Sequence, residues 1–148
     1  MKQLITTFAL ACLALASHAQ PVAFDAPDFE VRIELTEKAQ SYLTAHKETM
    51  NVSITYADFI GVGGNVFGEF NRTYKGPAVI QMRDLQFSPK KLKTLTVADY
   101  EVHIVIGSGH KSSQWNVLDC EFLQDNISKL QHKNQTLRCD LIDEKRQH

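Results

Sequence analysis

The chain has 148 residues, 43% of them hydrophobic, with 16 Lys and Arg against 17 Asp and Glu and a formal net charge of −1. A near-neutral chain with scattered basic residues has no electrostatic footprint for nucleic acid, and no such partner is expected. Beyond the first 19 residues no apolar run approaches the ~20 residues of a spanning helix, so no membrane association is expected of the mature chain.

Residues 1–19 read as a cleavable secretory signal. Lys2 supplies the positive start. Leu4 to Ala16 is apolar apart from Thr6 and Thr7, and Ser17-His18-Ala19 is a small-x-small cleavage site before Gln20. A lipoprotein signal acylated on Cys12 is the competing reading. However, Ala9-Leu10-Ala11 makes a poor lipobox, and the apolar run continues past the cysteine. The short length and simple charge point to bacterial export and a periplasmic location. Removing Lys2 takes the formal charge from −1 to −2. Residues 20–148 then form one domain of roughly 130 residues, enough to bury a core.

Pro21 to Asp28 has two prolines and no periodicity, and reads as an irregular arm. Phe29 to Leu35 alternates apolar and charged residues, the period of a half-buried strand. Thr36 can cap a short helix whose inner face carries Ala39, Tyr42, Leu43 and His46. Met50 to Tyr56 is a second strand, with Val52, Ile54 and Tyr56 on one face. Asp58 to Asn71, with Gly61, Gly63, Gly64 and Gly68, is either a long loop or a bulged edge hairpin. Gly61-Val62-Gly63-Gly64 lacks the ending of a phosphate loop and lies between β-like segments. Gly76-Pro77 marks a turn, Ala78 to Phe87 a third strand region, and Ser88-Pro89-Lys90-Lys91 a polar turn. Tyr100 to Ile106 alternates again and is the central strand. It breaks at Gly107-Ser108-Gly109 into the polar run His110-Lys111-Ser112-Ser113-Gln114. Trp115, Val117, Leu118 and Cys120 are expected to re-enter the core. Cys120, Leu123, Ile127 and Leu130 repeat at helical spacing, which predicts a second helix over Asp119–Gln131. Thr136 to Ile142 is the last strand. Short turns between neighbours favour antiparallel pairing. The expected fold is mainly β, an antiparallel sheet or sandwich with one or two short peripheral helices.

Two cysteines survive cleavage, Cys120 and Cys139. In an oxidising compartment an even pair reads as one disulfide closing a loop worth roughly 3 kcal/mol. Two free thiols or a redox pair are the alternatives, and the spacing is far from C-x-x-C. The histidines lack metal-ligand spacing, so no metal and no cofactor is expected. Ser108, Ser112 and Ser113 lie near His110, but Gly107-Ser108-Gly109 is not G-x-S-x-G, so no catalytic residue and no enzyme is expected. The remaining candidate is the Ser108–Ser113 loop, as an ordinary hairpin connection or as a projecting binding loop. Its glycines allow close approach, and Ser108 and Lys111 can donate to carboxylates.

An export signal, a β-rich domain of this size and a Ser-Gly loop ending a late strand together resemble the periplasmic lysozyme inhibitors of Gram-negative bacteria, the invertebrate-type (i-type) inhibitors in particular. Those inhibitors are β-sandwich proteins that insert a Ser-Gly-x-Tyr loop into the lysozyme cleft. The motif would fall on Ser108-Gly109-His110-Lys111, with Lys111 standing where the family carries tyrosine. The resemblance implies a non-enzymatic inhibitor that contacts lysozyme through Ser108, Gly109, His110, Lys111 and Ser112, with Tyr56 or the Gly61–Gly68 loop as secondary contacts. The alternative is a periplasmic carrier with a small ligand between its sheets, marked by a deep apolar pocket under the Gly61–Gly68 loop.

Overall fold

The computed structural model describes residues 26–59, 61, 64–85 and 99–145. The expected signal over 1–19, the Ser88–Lys91 turn and the apolar residues Leu92, Leu95 and Val97 lie outside them.

The first strand, β1 (Glu30–Leu35), keeps the alternation read from its sequence, with Val31 and Ile33 fully buried. Thr36 then accepts a hydrogen bond from the N–H of Ala39 and caps α1 (Glu37–Ala45), which buries Ala39 and Leu43. That helix is too short to hold itself and depends on packing against the sheet. The strands β2 (Met50–Ala57) and β3 (Val66–Tyr74) form an antiparallel hairpin with a register shift at Tyr56/Ala57, so the bulged hairpin is the form adopted. A short β4 (Ala78–Gln81) runs into a 3-10 turn over Met82–Asp84. The central strand β5 (Glu101–Ser108) runs two residues beyond its predicted end.

The region expected to be a second helix is different. It holds β6 (Leu118–Cys120), β7 (Leu123–Asn126) and the single turn α2 (Ile127–Leu130). Cys120 lies opposite Cys139 on β8 (Asn134–Leu141), while Leu123 lies opposite Ile104 on β5. Pairing in two different sheets therefore overrides the helical spacing. One more turn, α3 (Ile142–Lys145), follows β8.

The strands form two four-stranded sheets, ordered β4-β1-β8-β6 and β3-β2-β5-β7. Val31, Ile33, Leu137 and Cys139 of the first share one buried cluster with Val52, Ile54, Val102 and Ile104 of the second, which makes a β-sandwich. Among the described residues five of the six strand pairings are antiparallel, and the exception is β1 with β8, which is parallel. The short-turn argument reaches only chain neighbours, and these two strands are joined through the whole domain. Cys120 and Cys139 form the expected disulfide. Among the described residues no helix is long and apolar enough to cross a membrane.

Candidate functional site

The strands β2 and β5 end together, with Met50 opposite Ser108. One step beyond, the N–H of Gly109 donates to the carbonyl of Thr49 at 2.7 Å and extends the ladder into the loop. Inward alternation along β5 passes through Val102, Ile104 and Ile106 and arrives at Ser108, which is only 2% exposed. Its hydroxyl accepts from the N–H of Val117 at 3.1 Å, and its own N–H donates to Asn116 Oδ1 at 2.8 Å. Ser108 is thus a fastening of the loop's base and not a contact residue, contrary to expectation.

The tip is fastened from below by Glu48, a carboxylate 2% exposed. Glu48 Oε2 accepts from the N–H of Ser112 at 2.6 Å and from its hydroxyl at 2.7 Å, while Oε1 accepts from the N–H of Thr49 at 2.8 Å. Burial pushes this carboxyl upward. The donors from Ser112, Thr49 and the N–H of Lys111 together outweigh burial, and the group is lowered from 4.5 to about 2. It is therefore ionised at neutral pH, and each bond it accepts is charge-assisted. The N–H of Glu48 donates in turn to the carbonyl of Leu43, which ties the loop to the end of α1.

With base and tip held, the loop turns through His110, whose φ of 59° lies in the left-handed region. His110, Lys111, Gln114 and Trp115 are exposed. Trp115 was expected in the core and is 73% exposed. Its N–H donates to Ser113 Oγ, and the loop returns through Asn116, whose Nδ2 donates to the carbonyl of Leu118. A tryptophan set among Ser, Gln and Asn was the one sequence sign that it would stand in solvent. Glu48, lying between helix and strand, gave no sign of its role.

Tyr56 is also misplaced by the sequence reading. It is fully buried, packed against Phe67, Phe70 and Tyr100, and offers no exposed surface for docking. Burial pushes its hydroxyl far above the usual tyrosine range, with a smaller push from Tyr100. Among the described residues no group of three or more His, Cys, Asp or Glu could hold a metal ion.

Beside the loop is an open cleft of about 390 Å³ lined by Lys47, Lys75, Lys111, Leu43, Thr44 and Thr49, with Glu48 in its wall. It lies under the 109–112 turn and not under the Gly61–Gly68 region. Compared with family models, curated proteins and solved structures, the chain matches none of them.

Proposed function

We propose that this chain is an exported, non-enzymatic inhibitor that binds a lysozyme, of the invertebrate type, through the loop spanning Gly109 to Asn116, acting in the periplasm. The observation that supports this reading is a loop fastened from within that still leaves a tryptophan and a lysine outside. Binding orders side chains and loops at a cost, and a loop already held by Glu48 and Asn116 avoids much of it. Tryptophan is the residue type most often found as a binding anchor. A lysozyme cleft carries two carboxylates, one protonated and one ionised. Lys111 would pair with the ionised one, while Trp115 would bury apolar surface on the cleft wall. Ser108 and Gly109, which carry the family resemblance, would act by shaping the loop.

The test is cell-wall lysis by invertebrate-, chicken- and goose-type lysozymes in the presence of the mature chain beginning at Gln20. Inhibition of the invertebrate type is expected. Trp115→Ala should weaken it about 30-fold or more, and Lys111→Ala about tenfold. No inhibition of any type would end the lysozyme reading. Full inhibition by the Lys111→Ala/Trp115→Ala double variant would remove the loop from the mechanism.

A further inference from the structure

The cleft beside the loop has a composition that protein docking does not require. Three separate segments bring three lysines to it: Lys47 from the turn after α1, Lys75 from the β3–β4 turn and Lys111 from the loop. Among the described residues, none of the three forms a salt bridge. Two features oppose an anion here. One is the ionised Glu48, and the other is the C-terminus of α1, worth about half a negative charge. Three ammonium groups outweigh both and leave a net charge of about +1.5. That balance suits a phosphate monoester, which carries about −1.5 to −2 at neutral pH.

A second observation is independent of the lysines. Thr49 is 3% exposed, lines the cleft and has a hydroxyl with no partner among the described residues. A buried hydroxyl without a partner costs stability and calls for an explanation. A ligand oxygen would be its partner. The neighbouring Thr44 hydroxyl is already spent on the carbonyl of Gln40. Lysines are compact point charges that do not impose the planar two-point geometry of a guanidinium, so they fit a tetrahedral anion. The volume of about 390 Å³ lies near the lower end of the range for small-molecule clefts.

We infer that the cleft formed by Lys47, Lys75, Lys111 and Thr49 binds the phosphate group of a small phosphorylated molecule. The site shares Lys111 with the docking loop, but Lys47, Lys75 and Thr49 lie outside that loop, so changes at these three test the cleft without touching the docking surface.

The test follows amide NMR shifts of the mature protein at constant ionic strength, with inorganic phosphate and with glycerol 3-phosphate. Saturable shifts at Thr49, Lys75 and Lys111 are expected. The Lys47→Gln/Lys75→Gln variant should bind at least about tenfold more weakly, a loss of about 1.4 kcal/mol. Lys133→Gln, a charge change outside the cleft, should bind normally. Thr49→Val should also bind more weakly while melting higher in phosphate-free buffer, because it deletes a polar atom that lacks a partner. A third arm uses vesicles containing phosphatidic acid. Tighter binding of glycerol 3-phosphate than of phosphate identifies a soluble ligand, and capture by vesicles alone identifies a lipid headgroup. No saturable shift well above about 1 mM in either soluble ligand, with no vesicle capture, overturns the inference. Equal weakening by Lys133→Gln also overturns it, since binding would then follow total charge and not the cleft.

Discussion

Two loops of this sandwich use the same device at different depths. The turn joining β2 to β3 is closed by Asp58, which accepts at 2.8 Å from the N–H groups of Phe59 and Asn65 and from Asn65 Nδ2. The 109–116 loop is closed by Glu48 in the same manner. Both carboxyls lie below their ordinary range. The Asn65 side chain and N–H lead for Asp58, and the Ser112, Lys111 and Thr49 donors overcome burial for Glu48. Each loop also has a glycine pressed against its neighbour. A Cβ on Gly64 would overlap the carbonyl oxygen of Phe59, and one on Gly109 would overlap Thr49 Oγ1. Each holds an aromatic outward, Phe59 at 44% exposure and Trp115 at 73%. The difference is that water reaches Asp58 and hardly reaches Glu48. The same bonds therefore define a turn in one place and rigidify a loop in the other.

The largest effect should come from removing the deeper carboxylate. Glu48→Ala leaves the Ser112 and Thr49 donors without their acceptor and should cost about 3 kcal/mol by urea unfolding at pH 7. The charge alone is isolated by Glu48→Gln. The folded carboxyl is depressed, so its contribution is complete above about pH 4.5 and disappears as pH falls through about 2. The stability gap between parent and Glu48→Gln should thus be constant at neutral pH and more than half lost by about pH 3. A gap that does not change with pH would mean that the loop is held by packing and not by this charge.

A smaller loss is expected from Gly109→Ala. The added methyl would overlap Thr49 Oγ1 and stand 3.2 Å from Glu48 Oε1. Overpacking of this kind costs about 2 kcal/mol. The obstacle is a side chain, so adding Thr49→Ala should restore more than half of the loss in a double-mutant cycle. At Gly64 the obstacle is backbone, and no truncation at Phe59 can relieve Gly64→Ala. Equal recovery in both loops would break the distinction between them.

How far this arrangement could be read in the sequence follows the range of the interactions. The alternation of β1, β2 and β5 and the Thr36 cap are local, and the structure keeps them. The β5 pattern also held the answer for Ser108. The expected strand stops at Ile106, and two more residues of the same alternation turn Ser108 inward. The predicted helix over 119–131 shrinks to the turn Ile127–Leu130 because Cys120 and Leu123, which share its helical spacing, pair with distant strands. The chain does form a loop after β5, but which of its residues face solvent was not legible: Ser108 is buried and Trp115 is exposed. Trp115 was assigned inward because tryptophan is usually buried, and nothing local distinguishes Glu48 from an ordinary surface glutamate. The cleft was beyond reach, since it needs three segments distant in the chain.

The smallest effect should come from the shallow counterpart. Asp58→Asn keeps one oxygen for the N–H groups of Phe59 and Asn65 and loses the acceptor facing Asn65 Nδ2. Water can replace that bond at an exposed site, so the unfolding midpoint should stay within the scatter of repeated measurements. Amide exchange should respond where global stability does not, with faster exchange at Phe59 and Asn65 and no change at Gly109 or Ser112. If Asp58→Asn lowered the midpoint as much as Glu48→Gln, depth would not be what separates the loops. The stiffness of the 109–116 loop would then need another source, with the Asn116 bonds to Ser108 and Leu118 the first place to look.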